Sequence, residues 1–92
     1  MKATAELQVI PVGSGASVRE EIEAVVKELR GHALKVEPHA SGTNLEGELD
    51  AVLAATGAVH NRLHGDGAVR LISILKLDTR ADKSPSLEDK EL

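Results

Sequence analysis

The sequence has no cysteine, phenylalanine, tyrosine or tryptophan, one methionine and three prolines. Without cysteine there is no disulfide, thiolate nucleophile, iron–sulfur cluster or cysteine zinc site, and the cytoplasm is the simplest expected compartment. Without aromatic rings the core is left to Ala, Val, Leu and Ile, which pack well but fill little volume each. Long apolar runs are also missing: no stretch approaches the roughly 18 residues of a membrane span, and Met1-Lys2 leads into an alternating segment rather than an apolar secretory core. Neither membrane insertion nor secretion is expected. Clustered bases are absent too, since 15 acidic and 11 scattered basic residues give a net charge of −4. With no ring to stack on a base, this composition argues against nucleic-acid binding.

The 92 residues present fall below the usual domain size of roughly 100 to 150, so residues 1–92 are expected to form one domain. A chain this short buries only about two-thirds of its unfolded surface. Self-association is therefore an expected way to bury more.

Ala3, Ala5, Leu7 and Val9 alternate with Thr4, Glu6, Gln8 and Ile10, as in a strand with one core face, and Pro11, Gly13, Ser14 and Gly15 should end it. Ser17 and Glu20 form a capping box that opens a helix whose apolar stripe is Val18, Ile22, Val25, Val26 and Leu29, with Gly31 as its stop. Leu34–Glu37 and Gly42–Glu46, separated by a bend at 38–41, read as a hairpin. Leu49, Val52, Leu53, Thr56, Val59 or His60, and Leu63 trace a second amphipathic helix, in which Gly57 is expected to mark tight packing and Gly65 the end. Val69–Leu77 is nearly continuous in Val, Leu and Ile, the composition of a strand whose two faces both need cover. The polar tail, residues 79–92, holds a candidate short helix at Ser86–Leu92; it either docks on a neighbouring molecule or frays.

The order βαββαβ, with two helical crossovers and one hairpin, is that of an α+β ferredoxin-like sandwich: an antiparallel four-stranded sheet with two helices on one face. The sheet's other face must then meet something apolar, and a second subunit is the natural candidate.

No serine has a recognisable base and orienting acid, and no carboxylate pair stands out, so no catalytic residue is expected and the chain is read as a non-enzyme. Of His32, His39, His60 and His64, only His60 and His64 have the i, i+4 spacing of a shared helix face; without a surrounding metal motif, no metal is expected. Gly13-Ser14-Gly15 before a helix could cradle a phosphate but matches no nucleotide motif, and an ordinary turn explains it. Asp78, Arg80 and Asp82 read as a solvated charge network.

The densest polar segment inside a strand is Ser41-Gly42-Thr43-Asn44-Leu45-Glu46-Gly47, where alternation puts Thr43 and Leu45 on one face and Asn44 and Glu46 on the other. A carboxylate with a neighbouring amide and hydroxyl suits a small, polar, cationic heterocycle. An interface strand using polarity against mispairing suits the same residues equally well.

Several segments together resemble the family of small thiamine-binding proteins, which are similar to each half of the YkoF thiamine/hydroxymethylpyrimidine-binding protein. They are Ala5–Gly13, the Ser17-Val18 helix start, the Ser41–Gly47 strand, Leu49–Leu53 with His60, and Lys76–Lys83. The resemblance covers nearly the whole chain. It implies a cytoplasmic homo-oligomer, a dimer or a homotetramer built through its sheets, binding thiamine or its hydroxymethylpyrimidine as ligand, not cofactor, near subunit boundaries. It also implies ligand-binding roles for Thr43 and Glu46 with Gly42 for close approach, and more loosely for Gln8, Asn44 and His60. The alternative is a structural or regulatory oligomer without a small ligand. Where relatives often carry Tyr, this chain has Val9 or Ile10, and Val36, so stacking on the ligand would come from aliphatic side chains or peptide planes.

Overall fold

A computed structural model describes residues 1–13 and 19–90. In chain order the elements are β1 (Lys2–Val12), α1 (Arg19–Arg30), β2 (Lys35–His39), β3 (Gly42–Glu48), α2 (Leu49–Gly65), β4 (Arg70–Thr79) and a single 3-10 turn at Glu88–Lys90. The four strands form one antiparallel sheet in the order β2-β3-β1-β4, with both helices packed on one face. This is the expected ferredoxin-like α+β fold. Ser17, Val18 and the serine and second glycine of the 13–15 loop lie outside the described residues, so the capping box and the phosphate-loop reading stay with the sequence.

Burial follows the strand period. Ala5, Leu7 and Leu45 turn toward the helices and meet Val25 and Leu29 of α1 and Val52, Ala55, Val59 and Leu63 of α2. Leu29, Leu45, Val52 and Val59 are fully buried. Each such side chain contributes about 1.5–3 kcal/mol by leaving water, so these small aliphatics carry a thin core without rings.

Four local expectations are corrected. Leu53 is half-exposed and Ala55 is fully buried in its place, because a 3.6-residue period leaves the centre of a stripe uncertain by a position or two. Ile22, in the first turn of α1, is 53% exposed rather than core. Gly57 marks no tight packing: a side chain there would meet nothing within 4 Å. And β1 runs through Pro11 to Val12, because beyond Leu7 it has lost its β3 neighbour and a residue without an N–H is tolerated beside β4 alone.

Within the single chain the described part of the tail returns to the sheet. Pro85 and Leu87 are buried against the chain's own sheet, on the face opposite the helices, and the helical part is one turn.

Candidate functional site

The register of the three strand pairs lays the helix-free face out as a grid. In one row Lys35, Glu46, Thr4 and Asp78 stand side by side; in the next stand Glu37, Asn44, Glu6 and Lys76. Farther along β1 and β4 the chemistry changes, with Gln8 beside Ile74 and Ile10 beside Ile72. One end of the face is polar. The other is apolar, with Ile10 at 38%, Ile72 at 43% and Ile74 at 55% exposure.

A cavity of about 500 Å³ opens over the polar rows, with Thr4, Glu6, Glu37, Asn44 and Asp78 among its lining and Leu87 and Lys90 of the tail as its rim. Its size is within the roughly 300–1,000 Å³ of small-molecule sites. The carboxylates of the two rows have different partners. Glu46 Oε1 accepts the Leu87 backbone N–H at 3.0 Å, Asp78 is paired with the Lys90 ammonium, and Glu37 lies 3.8 Å from Lys35 Nζ. The Lys90 hydrogen bond, with the Lys90 and Arg80 charges, holds the Asp78 carboxyl below its ordinary value of 3.8, against a smaller opposing desolvation.

His39, at the end of β2, organises the other corner. Its Nδ1 accepts the Ser41 backbone N–H at 3.2 Å, so the ring proton resides on Nε2. That Nε2–H faces Asn44 Oδ1 at 3.1 Å and Glu6 Oε2 at 3.2 Å. With its oxygen facing His39, the Asn44 amide, which lines the cavity, keeps its two N–H donors for other partners. Sequence alone offered no reason to attach His39 to this site.

The six residues that the sequence singled out fall in three places. Asn44, Glu46 and Gln8 share the helix-free face. Gly42 and Thr43, with Gln8 and His39, line a smaller recess of about 290 Å³ near α1 and the β2–β3 turn, and the room left by the absent Gly42 side chain is taken by the Leu7 carbonyl, which a Cβ would approach to 2.9 Å. His60 lies under β4 on the helix side, with Nε2 2.5 Å from Ser73 Oγ. Its neighbour His64 donates from Nδ1 to the Ala68 carbonyl at 2.7 Å. Arg80 clasps Asp82 through two N–H groups, at 2.9 and 2.5 Å, on the exposed turn past β4, which lowers the Asp82 carboxyl from its ordinary value.

The sequence missed Thr4. It is 2% exposed in the central strand, it lines the cavity floor between Glu46 and Asp78, and its Oγ1 has no hydrogen-bond partner among the described residues. Alternation could have put it on this face; only the register puts it in that row.

The family described as "Thiamine-binding protein" matches residues 5–91. A UPF0045 protein of Methanocaldococcus jannaschii is 40% identical over 89 residues, covering 97% of this chain and 88% of that protein. A UPF0045 protein of Synechocystis is 39% identical over 90 residues, covering 98% of this chain and 74% of its own length. The M. jannaschii crystal structure superposes with a TM-score of 0.90 over 97% of this chain and 91% of that one. A candidate thiamine biosynthesis/salvage protein of Thermotoga maritima, 23% identical, superposes with a TM-score of 0.87 over 98% of this chain and 95% of its own, a likeness of fold.

Proposed function

The chain belongs to the thiamine-binding protein family, and from that premise we propose that it is a non-enzymatic binding protein for thiamine or its hydroxymethylpyrimidine moiety, held in the cavity on the helix-free face. The observation that carries this reading is the Asn44 amide, fixed by His39 so that it offers N–H donors beside the Glu46 carboxylate two residues along the same face of β3. An aminopyrimidine presents a ring nitrogen that accepts next to an exocyclic amine that donates. Asn44 answers the first and Glu46 the second.

Glu6 and Glu37 stand around the same cavity together with Lys76 and Lys90, so the lining carries charge of both signs. Gln8, at the border between the polar and apolar halves, is the next contact in this reading. Gly42 and Thr43 shape the β3 end of the sheet from behind. His60, engaged with Ser73 on the opposite side, is left out.

The apolar half of the face, Ile10, Ile72 and Ile74, is assigned to a sister subunit, whose approach would shelter the ligand at a subunit boundary of a dimer or tetramer. In the absence of aromatic rings, that shelter and the charged contact to Glu46 supply what stacking would otherwise give.

Calorimetric titration with thiamine and with hydroxymethylpyrimidine tests the proposal. Heat from the native chain and its loss in Glu46→Ala are expected; no heat at millimolar ligand, or equal binding by that variant, ends it.

A purely structural or regulatory oligomer is the second reading. It is favoured by one contact, since the Glu46 carboxylate already has a partner in the Leu87 amide. Light scattering after size exclusion separates the two readings: this one expects a stable multimer that is indifferent to ligand.

A further inference from the structure

Thr4 is an anomaly of its row. A buried hydroxyl without a hydrogen bond costs stability, and a valine of nearly the same shape would fill its place without that cost. On one side of it stands Glu46, on the other Asp78, and the segment from Pro85 to Lys90 crosses above all three. That strap serves the two carboxylates with nitrogen donors, the Leu87 amide on Glu46 and the Lys90 ammonium on Asp78. Among the described residues it brings no donor or acceptor over Thr4, and Oγ1 has no hydrogen-bond partner there.

We propose that Thr4, Glu46 and Asp78 form an amine subsite, which the C-terminal strap fills as an internal surrogate for the amino end of a ligand. Two carboxylates with a hydroxyl between them offer acceptors in a line and repel anions. A primary ammonium, with three N–H donors, satisfies all of them at once; an exocyclic amine satisfies two; a quaternary ammonium satisfies none. The strap is built to yield. It has one 3-10 turn, closed by the Lys90 amide on the Leu87 carbonyl at 3.0 Å and a 3.3 Å bond from the Asp89 amide to Ser86 Oγ, and among the described residues its hold on the sheet is the hydrogen bond from the Leu87 amide to the Glu46 carboxylate, one exposed ion pair and the buried Pro85 and Leu87 side chains. Segments with so few attachments open at low cost.

The subsite deepens the proposed function by naming the group of the ligand that lies over Thr4, and it rests on that reading for the ligand's identity. Its own test uses a simpler probe. The full-length chain, labelled with ¹⁵N, is titrated with n-butylammonium chloride and, at matched ionic strength, with tetramethylammonium chloride. The Leu87 and Lys90 amide signals are expected to shift with the primary amine and not with the quaternary one. Lys90→Gln, which weakens the surrogate, is expected to bind butylammonium about three- to tenfold more tightly, and Thr4→Val about three- to tenfold more weakly. Equal shifts with both salts, or native affinity in Lys90→Gln, overturn the subsite; Lys90→Gln, altered only at the surface, decides the matter should Thr4→Val fail to fold. A protein that responds to butylammonium and gives no heat with thiamine keeps the subsite and loses only the ligand's identity.

Discussion

Asn44 Oδ1 stands 3.1 Å from Nε2 of His39, and the Ser41 backbone N–H on the far side of the ring leaves that nitrogen as the donor. The amide of Asn44 is therefore oriented before any ligand arrives. Removing the ring in His39→Ala frees the amide to rotate, and thiamine affinity should fall about three- to tenfold with little change in stability, because the contact is exposed. Calorimetry on the variant checks the affinity, and a urea melt the stability. Unchanged affinity would show that Asn44 needs no orienting partner.

Glu46→Gln separates charge from shape. The amide oxygen still accepts from Leu87, so the strap should remain docked, while the charged contact proposed for thiamine would be lost. A drop in thiamine affinity of about tenfold or more is expected, since hydrogen bonds to ionised groups are worth roughly 1.5–3 kcal/mol. The Leu87 amide signal should stay in place in the unliganded variant.

Strap docking should depend on acid. The Lys90 hydrogen bond lowers the Asp78 carboxyl in the folded chain below its ordinary value of 3.8. A carboxyl depressed in this direction stabilises the folded form fully above its ordinary value, and that contribution is lost as pH falls through the lower, folded value. Between neutral pH and about the ordinary carboxylate range the Leu87 and Lys90 amide signals should hold steady. At more acidic pH they should move toward exposed positions, and in Asp78→Asn this acid step should be missing.

The isoleucines on the open half of the sheet test the assembly. Ile74 is 55% exposed in the single chain, so Ile74→Lys should leave the fold intact and within about 0.5 kcal/mol of the native stability of an isolated subunit. It should nonetheless lower the mass measured by light scattering to that of one chain. If the native chain already runs as a monomer at micromolar concentration, these isoleucines have some other role.

Two leucines test where the core lies. Leu45, fully buried in β3, should lose about 2–5 kcal/mol on truncation to alanine, a large share of the 5–15 kcal/mol that domains possess. Leu53, half-exposed on α2, should lose far less. Urea denaturation of the pair gives the comparison; similar losses would move the buried stripe of α2 back to Leu53.

Much of this molecule is legible without coordinates. Strand and helix order followed from periods of 2 and 3.6 residues, and those periods are properties of neighbouring positions. The same period placed Asn44 and Glu46 on one face of β3 and Thr43 and Leu45 on the other, as the sheet has them. The missing rings required an aliphatic core, and the nearly continuous apolar composition of 69–77 announced a strand with a second greasy face, which Ile72 and Ile74 present.

Long-range pairing decided the rest. The row Glu46, Thr4, Asp78 depends on how two strand pairs are registered, and a shift of one residue in either would turn a different side chain to that face. The exchange of Leu53 for Ala55 depends on the angle at which α2 lies over the sheet. The course of the tail depends on which exposed acceptors it meets on returning, and it meets Glu46 and Asp78. Periodicity says which way a residue points but not what stands beside it, so the sequence determined the faces of this protein, and only the folded register determined the company that Thr4 keeps.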